Sequence, residues 1–204
     1  MKKIFFAVIC LLTLNLANSQ DEKEAVKKAS MDYFQHMVDQ DFDGILDAMY
    51  PKVFEAVPKE QMKMGMQQMF SNPEMKIEFI SNDIKRVTDA KKVEDKTYRA
   101  VFYRSEMKMT FVSEQDKPEA DRKSFLDFMK TTMDTQFGQE NVTANAEDTS
   151  LNIVMNSNMF AIKAPSYEGW KFIGNDDNMK QLIDSIIPES VRTDLLKEPK
   201  KESN

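Results

Sequence analysis

The sequence predicts an α+β protein in which N-terminal helices pack on a strongly bent, mostly antiparallel sheet. Two changes of hydrophobic period support this class. Apolar residues recur every three or four positions over residues 22–70, and then every second position over residues 77–112. A second helical period at 121–137 interrupts the strand-rich region. The predicted order is therefore three helices, a sheet with an inserted helix, and C-terminal helices.

Residues 1–19 have the composition of a secretory signal peptide. Two lysines precede an apolar run over residues 4–16, and small residues follow this run up to Ser19. We expect cleavage after Ser19, which would deliver the mature chain to the periplasm or out of the cell. The apolar run is too short to span a bilayer, and no later segment approaches about 18 consecutive apolar residues. No membrane span is therefore expected.

Composition excludes several functional classes. The single cysteine, Cys10, lies in the leader, so the mature chain has no disulfide, thiol nucleophile or zinc–thiolate site. The 204-residue chain has 28 basic and 34 acidic residues, and its formal net charge is −6. Nucleic-acid binding is not expected, because it requires a concentrated basic face. The length predicts one domain over residues 20–197 and a charged, disordered tail at 198–204.

Three helices are predicted before the sheet. Apolar residues from Val26 to Met37 form one stripe of the first helix. The second covers residues 42–50 and is ended by Pro51, which cannot continue a helix. The third begins at Pro58, since proline is tolerated in the first helical turn.

The strand-rich region begins after residue 73. The segment 97–112 alternates, but its apolar phase switches between Phe102 and Met107, which predicts a bulge or a sharp bend. The Asn-Ser-Asn run at 156–158 predicts a turn between two short strands. The later strands are predicted at residues 141–146, 150–155, 159–163 and 169–173. Two short helices are predicted to follow them, up to residue 196.

The acidic run DQDFDG at 39–44 resembles the first half of an EF-hand calcium loop. Asp39, Asp41 and Asp43 would be the ligands at positions one, three and five. Position twelve is Tyr50, which cannot supply the bidentate carboxylate, so any calcium site would be weak and mostly hydrated. The simpler interpretation is that Asp41 or Asp43 caps the second helix. No metal or cofactor is predicted.

Methionines cluster in the third helix. Met62, Met64 and Met66 have a spacing that is found among copper(I) ligands in exported proteins. At about 100° per residue, however, Met62, Met66 and Met69 share one helical stripe and Met64 points elsewhere. A shared stripe favours apolar packing over a copper site.

Two residues of the first helix have side chains that could act as an acid or a base. His36 is the only histidine and lies at the edge of the apolar stripe, where a partly buried structural role is favoured. A general base at a cavity mouth is the alternative. Tyr33 lies on the stripe itself, and a buried tyrosine with a satisfied hydroxyl is the favoured interpretation.

The first helix, the acidic turn at 39–44, the segment ILDAMYP at 45–51 and the closing segment YEGWKFI at 167–173 together resemble the nuclear transport factor 2-like superfamily. The resemblance covers about residues 22–175 in outline. The helix at 121–137 and the C-terminal helices depart from the superfamily pattern. The resemblance implies a bent sheet that wraps the first helix as a cone, with a pocket at the open end. The superfamily includes isomerases, cyclases, epoxide hydrolases and non-catalytic binding or dimerising modules.

No catalytic set of that superfamily matches this chain residue by residue, and the implied inward positions are almost all apolar. The leading hypothesis is an exported, non-catalytic module that binds an apolar or amphipathic small molecule or a protein segment. The predicted ligand-binding residues are Tyr33, His36, Met37, Met62, Met66, Phe79, Phe102 and Trp170. One alternative is a cyclase, isomerase or hydrolase that uses His36 or Tyr33 as acid or base. Another is a structural or homodimerising module whose cone is filled by side chains.

Overall fold

The structure is a computed structural model, and it describes the side chains of residues 20–177 and 179–197. The side chains of the predicted signal peptide at 1–19, and the whole of the predicted tail at 198–204, lie outside the described residues. The predicted fold class is confirmed: helices precede an open antiparallel sheet, and further helices are inserted in and follow that sheet. The α-helices are α1 (Lys2–Val38), α2 (Phe42–Ala48), α3 (Lys59–Phe70), α4 (Glu119–Phe137), α5 (Lys180–Ile186) and α6 (Glu189–Leu196).

Six strands form one sheet in the described part of the chain. They are β1 (Met75–Val87), β2 (Lys91–Val93), β3 (Lys96–Phe111), β4 (Val142–Asn145), β5 (Ser150–Lys163) and β6 (Lys171–Gly174). Strands β3 and β5 pair along their length at the centre. Strands β1 and β2 share the outer edge of β3, and strands β4 and β6 share the outer edge of β5.

Side chains alternate between the two faces of the sheet, and different helices cover each face. The odd-numbered residues of β3 point to what we call the α1 face, where Val101 packs with Val26 and Phe34 of α1. Further along the same face, Met109 packs with Leu126 of α4. The even-numbered residues of β3 point to the α6 face. There the buried cluster includes Tyr98, Ala100, Phe160, Ile162, Ile183, Val191 and Leu195.

The predicted bulge in the segment 97–112 is wrong for β3 itself. Strand β3 pairs with β5 in uninterrupted register from Thr97 to Thr110. The register shifts lie on the other side of β3, at Phe79/Ser81 and Ile84/Arg86 of β1. The apolar phase of β3 switches because the α6 face is covered only over the first half of the strand, whereas the α1 face is buried at both ends.

The predicted turn at 156–158 is also wrong. These residues continue β5, which runs unbroken through both predicted strands. Asn156, Ser157 and Asn158 pair with Arg104, Tyr103 and Phe102 of β3. Pairing along a long central strand therefore overrides the local turn preference of the Asn-Ser-Asn run.

The start of α1 in the described region is held by a buried arginine. Arg99 of β3 is fully buried beneath α1. Its Nη1 donates to the carbonyl oxygen of Thr88 at 2.7 Å, and its Nη2 donates to Glu22 Oε2 of α1 at 3.2 Å. This contact ties α1 to the central strand by charge as well as by apolar packing. No helix in the described part of the chain has the length and apolar character needed to cross a membrane.

Candidate functional site

An apolar groove lies where the end of α1, the end of α3 and the first half of β1 meet. Its volume is about 260 Å³. We call it the α3 groove, and its lining residues are Met37, Val38, Gln40, Phe70, Lys76, Ile77, Glu78 and Phe79. Ile77 and Phe79 reach it from the α1 face of β1, opposite Met109 and Met107 of β3.

Helix α3 is unusual in the fold because none of its side chains is fully buried. Met62 and Met66 are half-buried, as expected for the apolar stripe, but Met69 on the same stripe is 45% exposed. Met64 is 61% exposed. Gly65 faces open space, since a Cβ atom there would meet no neighbouring atom within 4 Å. The methionine-rich helix thus lies on the surface beside the groove.

Exposed ion pairs and one aromatic contact hold α3 against α2. Lys59 Nζ lies 2.5 Å from Asp47 Oδ1, and Lys63 Nζ lies 2.7 Å from Asp43 Oδ2. The Phe70 ring at the end of α3 lies between two other rings. Its centroid is 5.8 Å from that of Phe42 and 6.2 Å from that of Phe79.

The rim of the α3 groove carries balanced charge. Lys76 Nζ donates to Glu78 Oε1 at 2.8 Å across one side of the rim. These two side chains neutralise each other, and Gln40 adds an uncharged amide at the end of α1. The groove therefore combines an apolar floor with a polar rim of no net charge.

His36 has a carboxylate partner, but the pair belongs to a helix cap. Its Nδ1 lies 2.8 Å from Asp41 Oδ2, and the other carboxylate oxygen of Asp41 accepts from the N–H of Gly44 at 3.0 Å. The predicted cap of α2 by Asp41 is thus confirmed. The pKa of Asp41 is held below its usual value, mainly by the Gly44 N–H and then by His36. A Cβ atom at Gly44 would collide with both side chains, so glycine is required for the pair to lie there.

Tyr33 packs within the sheet-facing core. Its ring stacks on Phe172 of β6, with centroids 5.4 Å apart and planes 21° apart, and it also contacts Phe34. Burial, with a smaller contribution from nearby Tyr103, raises the pKa of the Tyr33 hydroxyl. The phenol therefore stays protonated near neutral pH and is poorly suited to act as a base there.

The structure distributes the eight predicted residues over several environments. Met37 and Phe79 both line the α3 groove. Met62 packs against the cluster on the α6 face, as does Phe102, whose ring lies 3.8 Å below the guanidinium carbon of Arg86. The remaining four do not line the groove: Tyr33, His36, Met66 and Trp170.

Trp170 shows why one cone-shaped cavity does not collect all these side chains. It is buried in the cluster beneath α1, where it packs with residues such as Val101 and Met159. Burial in a cluster and exposure in a cavity give the same apolar signal in the sequence. The groove is also lined by Val38, Phe70 and Ile77, which are not among the eight residues predicted from the sequence. Phe70 directly follows the methionine stripe of α3, and this position in the sequence is the one signal that could have identified it as a groove residue.

The acidic run at 39–44 makes local contacts. Asp41 forms the cap, Asp43 pairs with Lys63, and Asp39 accepts from Gln35 Nε2 at 2.9 Å. Within residues that the structure describes, no three histidine, aspartate or glutamate side chains are grouped to hold a metal ion. Comparison of the chain with family models, curated proteins and solved structures finds no match.

Proposed function

We propose that this chain is an exported, non-catalytic binding module that holds an amphipathic small molecule in the α3 groove. The observation that carries the proposal is the position of α3, a methionine-rich helix that borders an apolar groove while none of its side chains is fully buried. Exposed apolar side chains that border a concave site are typical of ligand-binding surfaces. Helix α3 contributes Phe70 to the lining, and Met37 of α1 suits a binding role because a methionine side chain is flexible and polarisable.

The size and charge of the groove indicate the class of ligand. A volume of about 260 Å³ accommodates one acyl or aromatic group and lies just below the usual range for complete ligands. The Lys76–Glu78 pair leaves the rim without net charge, so the groove does not select an anionic or a cationic head group. We therefore infer a ligand with one apolar group and an uncharged or zwitterionic head.

One feature of the sequence and one of the fold support export and family relationship in this proposal. The leader-like composition of residues 1–19 supports export. The order of N-terminal helices followed by an open antiparallel sheet supports the proposed relationship to the nuclear transport factor 2-like superfamily. That superfamily includes binding modules without catalytic residues, so the relationship is compatible with a binding function.

The test is a titration with dodecylphosphocholine below its critical micelle concentration, followed through methionine methyl resonances. We expect saturable shifts at Met37 in the groove and at Met66 and Met69 beside it. The variant Val38→Glu should weaken this binding at least tenfold, because it places a charge on the apolar wall. Val38 is 46% exposed, so the variant should still fold.

Met31→Glu is the matched control. Met31 lies on the same helix and is 54% exposed, but it does not line the groove. We expect wild-type affinity for this variant. Equal loss of binding in both variants, or the absence of saturable shifts in the wild-type protein, would overturn the proposal.

A further inference from the structure

A second concave site lies at a gap in the sheet, away from the α3 groove. On the outer edge of β5, β4 pairs with Ser150–Ile153 and β6 pairs with Met159–Ile162. On this outer edge, the stretch 154–158 between them has no strand beside it in the described part of the chain, although its other edge pairs with β3. A cleft of about 440 Å³ opens at this gap, and we call it the β5 cleft.

The backbone of β5 presents hydrogen-bonding groups to the β5 cleft that no described strand pairs with. The carbonyl oxygen of Asn158 accepts from Asn175 N at 3.1 Å, so the backbone of Asn158 points to this edge. In an antiparallel ladder the backbone groups of every second residue point to the same edge. Val154 and Asn156 therefore direct their N–H and C=O groups towards the gap, where no described strand receives them.

Four residues with carboxamide side chains line the β5 cleft. They are Gln136 at the end of α4, Asn141 after it, Asn156 of β5 and Asn175 after β6. Each carboxamide offers both a donor and an acceptor. Asn141 uses one donor on the carbonyl oxygen of Phe137, at 2.7 Å, which fixes its orientation.

The remaining lining residues restrict the charge of a ligand. Asp176 and Asp177 are also lining residues, and the described lining includes no lysine, arginine or histidine. An anionic ligand would find no counter-charge there. A fully apolar ligand would remove the carboxamides from water without giving them partners, which is costly. Half-buried Phe137 adds an apolar surface beside these polar groups.

The sequence of β5 also marks this position as unusual. Asparagine is disfavoured inside strands, yet Asn156 and Asn158 occupy the middle of a 14-residue strand. Local choices that conflict with the fold are expected at functional sites. Ser157 makes a further contact on the α1 face, where it forms a hydrogen bond with the hydroxyl of Tyr103.

We propose that the β5 cleft binds a neutral carbohydrate. Sugar hydroxyls both donate and accept hydrogen bonds, which matches carboxamides and strand backbone groups. The C–H face of a sugar ring can pack on Phe137 and Met155. The ligand class differs from that of the α3 groove, and the two sites share no lining residue.

The test is an NMR titration of the ¹⁵N-labelled chain with maltose, cellobiose and diacetylchitobiose at millimolar concentrations. We expect at least one disaccharide to shift the backbone amide signals of residues 154–157 and the side-chain amide signals of Asn156 and Asn175. The variant Asn156→Ala should weaken that binding about tenfold, the effect of losing one well-placed hydrogen-bonding group.

Asn152→Ala is the matched control, because Asn152 lies on the same strand and the same face but outside the cleft. It should retain wild-type affinity. The proposal fails if none of the three disaccharides shifts the cleft amides, or if both variants lose affinity equally. It also fails if calcium chloride alone produces the shifts and Asp177→Asn abolishes them, since the cleft would then be a cation site.

Discussion

Helices α1 and α3 carry similar apolar stripes but have different structural roles. In α1, Val26 and Ser30 are fully buried and Phe34 is 5% exposed against the sheet. The hydroxyl of Ser30 is satisfied by the carbonyl oxygen of Val26 at 2.8 Å. In α3, by contrast, no residue is buried, although methionines recur at helical spacing along it.

This difference in burial arises because the two helices pack against different parts of the fold. Helix α1 packs across the α1 face of the sheet and is anchored by Arg99 through Glu22. Helix α3 meets α2 through exposed ion pairs and Phe70. Buried apolar contacts stabilise a helix far more than exposed ion pairs do. We therefore expect α1 to be part of the stable core and α3 to open locally at low cost.

The largest expected effect is in α1. Phe34→Ala should lower the free energy of unfolding by about 3–5 kcal/mol, because it leaves a cavity between α1 and the sheet. Urea unfolding followed by circular dichroism measures this change. The exposed neighbour Met31→Ala should change it by about 0.5 kcal/mol or less. Similar losses in both variants would contradict the assignment of α1 to the core.

A smaller effect on the stability of α3 should appear at low pH, where Asp47 becomes protonated and its ion pair with Lys59 is lost. Lys59 lowers the pKa of Asp47 below its ordinary value of 3.8. The stabilisation from this pair is therefore present above about pH 4 and is lost as the pH falls through the lower, folded-state pKa. Amide protection factors in α3 should fall up to about fivefold between pH 6 and pH 3, since exposed pairs contribute about 1 kcal/mol or less.

Protection factors in α1 provide the internal reference for that experiment. They should stay constant over the same pH interval for as long as the global fold persists. In Lys59→Met, α3 should already be less protected at pH 6 and should change little on acidification. If α1 and α3 lose protection together in the wild-type protein, α3 is not an independently opening element.

The smallest expected effect is at Met64. Met64→Ala should alter the free energy of unfolding by about 0.5 kcal/mol or less, because the side chain is 61% exposed and alanine is a good helix former. Thermal unfolding of the two proteins measures it. A loss above about 1 kcal/mol would show that Met64 packs against another surface, which would weaken the case for α3 as a ligand-facing helix.

Strand β3 shows which features of the sheet can be predicted from the sequence and which cannot. Its strand character was readable from the alternation, and the structure confirms it over Lys96–Phe111. The phase switch between Phe102 and Met107 predicts a bulge or a sharp bend, but its cause is the partial cover of the α6 face by the C-terminal helices. A one-dimensional pattern records which side chains are apolar and does not record which helix covers them.

The sequence predicts the apolar character of the α3 groove, but it predicts only some of the residues that line it. Met37 and Phe79 were predicted for a binding site and do line one groove. Met62 and Phe102 have the same apolar character but pack against the cluster on the α6 face. The β5 cleft was missed because its Asn-Ser-Asn segment has the composition of a turn, and only long-range pairing with β3 keeps it extended.

The sequence by itself determined the class of the fold, the order of its helical and strand-rich regions, and the Asp41 cap, because these depend on local periodicity and local hydrogen bonds. Tertiary structure alone decided that α1 is buried and α3 is exposed. It also decided that β4 and β6 leave a gap beside β5. Burial and strand pairing depend on contacts between residues far apart in the chain, and such contacts leave no periodic signal in either partner.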